Sequence, residues 1–398
     1  MKISRQRLSR AGLLLLSLGW AGPVMLGAQE TPASAAAAST AEPAKPPSKF
    51  RDPVDGEFDV SGFIATAYGF VPIAMPITEP AVGYGLGAGL VFIDKPDAAQ
   101  GKFARPNISA VGGLYTENGT KGVFGMDSRY WLDGKLQTLV AGLGASVNLD
   151  YYGEGNDGPL RGHPLRYNLE PKGGLLQAKT KLGDSRFFAG LGYLYMKMDV
   201  SFTAPPTTPG LPSFRSSTTL AALMPSLAYD TRDNVFTPTH GFFAEVGGAL
   251  FGESVGGDQN FQNLSSAVIY YTPLAEKLTL GVRGDYATTF GDTPFYANPS
   301  VSLRGVPAMS YMGDQMAQLE AELRWQCWGR WSLVGFSGVG AVWGNSSFGR
   351  NEKNVLTYGT GIRYEIARKF GLHMGLDVAF GPADPVIYIQ FGSAWMRP

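Results

Sequence analysis

Gln318-Leu319-Glu320-Ala321-Glu322-Leu323-Arg324-Trp325 decides the fold. Leu319, Ala321, Leu323 and Trp325 fall on one face of an extended chain; Gln318, Glu320, Glu322 and Arg324 fall on the other. Strand side chains alternate sides, so a spacing of two gathers the three charges on one face, whereas a helix would scatter them around its axis. Two later stretches repeat the pattern. Leu356, Tyr358, Thr360, Ile362 and Tyr364 alternate with Gly359, Gly361, Arg363 and Glu365. Leu372, Met374, Leu376, Val378 and Phe380 alternate with His373, Gly375, Asp377 and Ala379. A strand apolar on one face and charged on the other suits a wall between lipid and a polar lumen, which is the signature of a transmembrane β-barrel.

Working outward, such segments of about ten residues separated by turns recur along the chain. They predict an all-β, antiparallel barrel of about sixteen strands, an even number as bacterial barrels require. The strands are expected to start near Tyr68, Val82, Asn107, Lys121, Lys135, Gly174, Arg186, Thr219, Gly241, Phe261, Leu278, Asp314, Trp331, Leu356, Gly371 and Val386. With the N-terminus in the periplasm, most periplasmic links are short: Asp133-Gly134, Gly183-Asp184, Pro273 to Glu276, and Ile366 to Lys369. The alternate links include long ones, Tyr152 to Pro171, Phe202 to Ser217 and Gly291 to Gly313, as extracellular loops should be. Aromatic pairs such as Tyr130 and Trp131, Tyr270 and Tyr271, and Trp325 and Trp328 suit the girdles at the two membrane surfaces.

The N-terminus sets the compartment. Lys2, Arg5, Arg7 and Arg10 precede an apolar stretch from Ala11 to Leu26 that ends in Leu26-Gly27-Ala28. Basic start, short apolar middle and small-residue exit predict a cleaved signal peptide over residues 1–28. Residues 29–57, rich in Ala, Pro, Ser and Thr, are expected to be a disordered tether, and 58–398 the barrel. Removing the four basic residues of the leader from 33 leaves 29 against 33 acidic ones, a net charge of −4. That balance argues against a nucleic-acid partner, which would demand a basic footprint. Cys327 is the only cysteine, so no internal disulfide can form. Past the leader no run of 18 apolar residues occurs, which excludes helical spans.

Three stretches exceed what a barrel wall needs. Asp230-Thr231-Arg232-Asp233-Asn234 leads through Pro238 and Gly241 into Phe242-Phe243-Ala244-Glu245. Ser302-Leu303-Arg304-Gly305 sits in the longest late loop, ahead of Glu320-Ala321-Glu322-Leu323-Arg324. Gly359-Thr360-Gly361-Ile362-Arg363 precedes Gly375-Leu376-Asp377 and then Ile389-Gln390-Phe391-Gly392 and Trp395. In this order they resemble the bacterial surface antigen barrel of the BamA/TamA superfamily of outer-membrane assembly and translocation proteins.

The resemblance implies sixteen strands and a loop between the eleventh and twelfth that folds back into the lumen. Arg304 matches the arginine of that loop, with Gly305 beside it, and Glu322 matches the acid on the next strand. Glu320 and Asp377 are secondary partners for Arg304. The family often carries an Asp on the thirteenth strand; here Phe336-Ser337-Gly338 puts Gly338 in its place, which would shift the partner set toward Glu320 or Asp377. Tyr388, Phe391 and Trp395 resemble the C-terminal sorting signal of outer-membrane barrels, with Trp395 ending the last strand. Family members that insert or secrete proteins carry client-capturing POTRA modules before the barrel; only the short tether stands there in this sequence. Client capture would then fall to a separate periplasmic protein.

No phosphate-binding loop, HExxH motif or Cys/His metal spacing occurs, and His163, His240 and His373 stand in no arrangement with a nucleophile. No cofactor is implied, and the chain is expected not to be an enzyme. Its expected surroundings are outer-membrane lipid and lipopolysaccharide. Three functions remain open: a barrel for protein or lipid translocation or assembly, a porin-like solute channel, and a surface or scaffolding protein acting through its extracellular loops.

Overall fold

In the computed structural model of the protein the described residues are 50–66, 69–79, 81–94, 107–132, 134–151, 165–202, 214–346, 349–350, 353–382 and 384–396. The expected signal peptide, most of the expected tether and the centres of the 152–171 and 202–217 loops lie outside them. A short helix, α1 (Ser61–Thr66), precedes the barrel. The strands follow as β1 (Gly69–Ile77), β2 (Gly85–Asp94), β3 (Asn107–Thr116), β4 (Lys121–Trp131), β5 (Leu136–Tyr151), β6 (Leu165–Lys181), β7 (Phe187–Phe202) and β8 (Phe214–Asp230). The second half is β9 (Gly241–Phe251), β10 (Phe261–Ala275), β11 (Leu278–Gly291), β12 (Gln315–Trp328), β13 (Trp331–Trp343), β14 (Lys353–Ala367), β15 (Leu372–Phe380) and β16 (Val386–Phe391).

Each strand pairs antiparallel with the next, making one sixteen-stranded, nearly closed barrel. Among the described residues no ladder joins β16 to β1, so these two strands border a seam. No helix among the described residues is long and apolar enough to cross a membrane.

Alternation places the side chains as the period of two requires. On β12, Leu319, Leu323 and Trp325 are exposed on the outer face, while Gln318, Glu320 and Glu322 are buried inside. On β13, outward Trp331, Leu333 and Val339 alternate with inward Ser332, Val334 and Phe336. Outward apolar side chains meet lipid, and the ladders satisfy the backbone that lipid cannot.

Two expected loops are shorter than anticipated. β6 begins at Leu165 and absorbs Pro171, and β8 begins at Phe214. In the outer parts of β5 to β8 the polarity of the two faces is reversed. Val147, Leu149, Tyr167, Leu169, Met196, Met198, Val200 and Leu220 are buried on the inner face. Lys172 and Arg166 stand out, the latter with 85% of its side chain exposed. An apolar interior with a charged exterior is what a strand needs once it leaves lipid and packs against protein. A search for apolar-outward strands ends where the lipid ends.

The barrel end where the described residues begin and end is closed by turns. The link between β8 and β9 is built by the Asp230–Asn234 motif. Asp230 takes two hydrogen bonds from the Arg232 guanidinium, at 2.9 and 2.8 Å, and a third from its amide, and Asn234 Oδ1 accepts from the amides of Phe236 and Thr237. Asn234 Nδ2 donates to the Phe370 carbonyl, which ties this link to the β14–β15 turn. Residues 50–57, expected to belong to the tether, also pack at this end: their Asp52 and Asp55, with Asp59 just beyond, surround Arg330. The Asp52-x-x-Asp55-x-x-x-Asp59 spacing gives this stretch its charged partner.

Candidate functional site: a loop clamped in the lumen

The link between β11 and β12 re-enters the barrel as a finger. Val301 N–H bonds to Tyr311 O, and Gly313 N–H to Pro299 O, so its two limbs hold each other. Gly305 turns the tip at φ +89°, where a Cβ would stand 3.1 Å from the Phe380 carbonyl carbon and oxygen. Only glycine accepts both that φ and that approach without strain.

Arg304, 8% exposed, lies at the heart of the lumen. Its Nε donates to Glu320 at 2.9 Å and its Nη1 to Asp377 at 2.8 Å. Glu322 Oε2 is 2.8 Å from Nη1, an ion-pair distance without hydrogen-bond alignment. Glu322, first in the expected order, is therefore the less aligned partner, and Glu320 and Asp377 take the directed bonds. Asp377 sits on β15 and is also gripped by Arg363 from β14, through Nη1 and Nη2. The Phe336 ring lies 3.6 Å from the Arg304 guanidinium carbon, adding a cation–π contact. Two arginines facing three carboxylates make a compact network in which each buried charge has an opposite neighbour.

Gly338 lies under this network. A Cβ there would come within 3.0 Å of Leu303 Cδ2 and 3.3 Å of Glu320 Cγ. The space an Asp side chain would need is taken by the loop and by Glu320.

Of the three residues expected in the sorting signal, only the placement of Trp395 at the end of the last strand is corrected. Phe391 faces outward, 38% exposed, at the end of β16. Tyr388 faces the lumen, where its hydroxyl accepts the Gly305 N–H at 3.0 Å. Trp395 does not end the last strand. Gly392, at φ +70°, turns the chain inward, and Trp395 is buried with its indole N–H donating to Glu320 Oε2. Its ring packs against Tyr271, whose hydroxyl shares a 2.7 Å hydrogen bond with Ser393. The physical reason is the carboxylate: Glu320 buries a second oxygen beyond Arg304's reach, and an indole N–H satisfies it.

Apolar contacts hold the outer part of the finger. Phe295, Tyr296, Ala297, Met309 and Met312 join the inward face of β5 to β8 in one cluster. Val82, in the β1–β2 link, belongs to it too, and Glu79 in the same link accepts the Ala308 N–H at 3.1 Å. The fingertip is thus bonded to neighbours of both seam strands, Glu79 after β1 and Tyr388 within β16.

A sixteen-stranded wall, an Arg-Gly finger between β11 and β12 and an acid on β12 receiving it are the features the resemblance implied; Asp377 on β15 was the alternative expected because Gly338 replaces the thirteenth-strand Asp. The Omp85 superfamily domain matches residues 184–384, which hold β7 to β15, the finger and the acids that receive it. The chain belongs to the Omp85 superfamily. The superfamily's barrel fold is that of the Gram-negative outer membrane.

Solved structures give the same fold at low identity. BamA from Haemophilus ducreyi lacking POTRA domains 1–3 aligns with a TM-score of 0.54 and 16% identity, over 81% of this chain and 69% of that one. CdiB from Escherichia coli aligns at 0.55 and 10%, over 83% and 60%; CdiB from Acinetobacter baumannii at 0.53 and 11%, over 81% and 59%. This Omp85 chain therefore spans about six tenths of either CdiB chain. No curated protein matches it in sequence.

Several members of this Omp85 site were not singled out from sequence. Arg363 carried a signal, since it alternates onto the lumen face of β14. Phe336 stood inside the Phe-x-Gly stretch already noted. Glu79 carried none, and Tyr388 was expected only in the sorting signal, because their partners are backbone amides of a distant loop.

Proposed function

We propose that this Omp85 barrel takes part in protein or lipid translocation or assembly at the outer membrane, with its lumen held shut at rest by the 292–314 finger. The observation that carries the reading is the double hold on that finger, ionic at Arg304 and apolar at Phe295, Tyr296, Met309 and Met312. A passive pore gains nothing from a plug anchored this firmly. A gated barrel does, because the plug preserves the permeability barrier until a client or partner displaces it. Outer-membrane lipid and lipopolysaccharide are its surroundings in this reading, and a periplasmic protein supplies client capture. No catalytic role is part of it.

A solute channel is the second reading. It is favoured by a cavity of about 240 Å³ between the finger and the barrel wall, lined by Asn263, Thr288, Asn298 and Ser302 among others. Deleting the gene in its source bacterium and measuring the protein and lipopolysaccharide content of the outer membrane separates the two. Loss of a surface protein or lipid class supports the translocation reading. An unchanged envelope together with a lost solute uptake supports the channel.

A further inference from the structure

The pre-barrel segment has two faces. Toward the barrel, Val60 and Ile64 pack on Phe236, Ala367 and Phe370 at the terminal end. Arg330, in the β12–β13 turn and 5% exposed, locks the segment down: it donates to Asp52 and Asp59 at 2.6 Å each and to Asp55 at 2.7 and 2.9 Å. The other face is aromatic. Phe50 stacks with Phe58 and Phe63 at ring distances of 6.4 and 5.6 Å. All three rings are substantially exposed, as is Val54.

Tyr364 fixes where this face lies. It points outward from β14, its ring 4.9 Å from that of outward Trp331, and its hydroxyl donates to the Phe58 carbonyl at 2.8 Å. Trp328 is exposed on the same rim. Outward aromatics at strand ends sit at headgroup level, apolar body in lipid and polar tip in water. The Phe58 backbone therefore lies at that depth, and its aromatic cluster continues the girdle. Arg51 and Lys369 are exposed on the same segment and the adjoining turn, where they suit lipid phosphates, while Arg368 beside them pairs with Asp52 and Asp55 at 3.7 and 3.3 Å.

We propose that residues 50–63 form a foot that seats Phe50, Phe58 and Phe63 in the lipid interface at the terminal end of the barrel, with Arg330 as its lock. The occupant is the phospholipid leaflet, because the patch is continuous with the barrel's own lipid-facing belt and flanked by cations. The foot rests on the barrel lying in a membrane and is independent of what the barrel transports.

The test uses the full chain refolded into vesicles of phosphatidylethanolamine and phosphatidylglycerol. In a Cys327→Ser background, Val54→Cys or Phe63→Cys carries an environment-sensitive NBD label, and the gel shift of unboiled samples confirms that each variant's barrel is folded. The expected result is blue-shifted emission, of which lipids with a doxyl group near the headgroup quench about half or more, while iodide in the buffer quenches little. Adding Arg330→Ala should reverse the pattern, with doxyl quenching lost and iodide quenching gained. Iodide quenching without doxyl quenching in the parent would show a wet face and overturn the proposal. Protection from both quenchers would show a protein covering, by residues 1–49 or a second copy, and would overturn it equally.

Discussion

Arg304 concentrates the energetics of the site. Taking it away strands Glu320, Glu322 and Asp377 in a buried lumen, with Arg363 the remaining cation of the network. Breaking such a pair from one side costs about 3–5 kcal/mol. Arg304→Ala should therefore lower the temperature at which the fast-migrating, unboiled band converts to the slow one. Arg304→Lys should recover part of the loss, since a single ammonium keeps the charge but cannot bond in two directions as the fork does. Combined with Asp377→Asn, Arg304→Ala should be less than additive, while Glu322→Gln alone should be milder than Asp377→Asn because its contact lacks alignment. Additive effects of the Arg304 and Asp377 substitutions would show that the pair does not act as a unit. Trp395→Phe keeps a ring against Tyr271 but leaves Glu320 Oε2 without its donor, a cost of about 1–3 kcal/mol in the same assay. At this scale the anchor was legible because Arg304-Gly305 resembles the family's inward loop and because acids at a period of two must share a face. Trp395 was not, because a single glycine after β16 reverses the side on which the tail falls.

At the scale of elements, most strand starts could be read within a few residues, since lipid imposes an apolar outer face. β6 and β8 were read short for the opposite reason: beyond the lipid their apolar side turns inward to meet the finger. The foot was hidden by its neighbours, an Ala/Pro-rich stretch that dilutes the three aspartates. Two of them, Asp55 and Asp59, make it acid-sensitive. Asp55 is held below the ordinary carboxylate value chiefly by its hydrogen bond from Arg330. Burial pushes Asp59 up, but hydrogen bonds from Ser61, the Arg368 amide and Arg330 outweigh it and leave Asp59 lowered as well. Depressed carboxylates stabilise the docked foot above their ordinary value of 3.8, and that stabilisation is lost as pH falls through their lower folded values. Pepsin digestion across that range should cut near Phe50 and Phe58 only toward its acid end, leaving the barrel intact. In Arg330→Ala the same cuts should appear already at the upper end of the range. Cleavage that does not change with pH would contradict an ionic lock.

For the whole molecule, the barrel, its strand number and its finger followed from patterning and from an ordered set of short motifs. Whether the lumen is open did not, because that depends on side chains from loop and wall meeting across hundreds of residues of sequence. The structure answers it with a finger bonded to β12, β15, β16 and the β1–β2 link, and packed on β5 to β8. The most direct measurement of that central claim is conductance of the purified protein in planar bilayers, intact and with residues 298–310 deleted. The intact barrel is expected to show only small, irregular currents, and the deletion a larger and steadier pore. A large, steady conductance from the intact barrel, unchanged by the deletion, would contradict a lumen closed by its own loop.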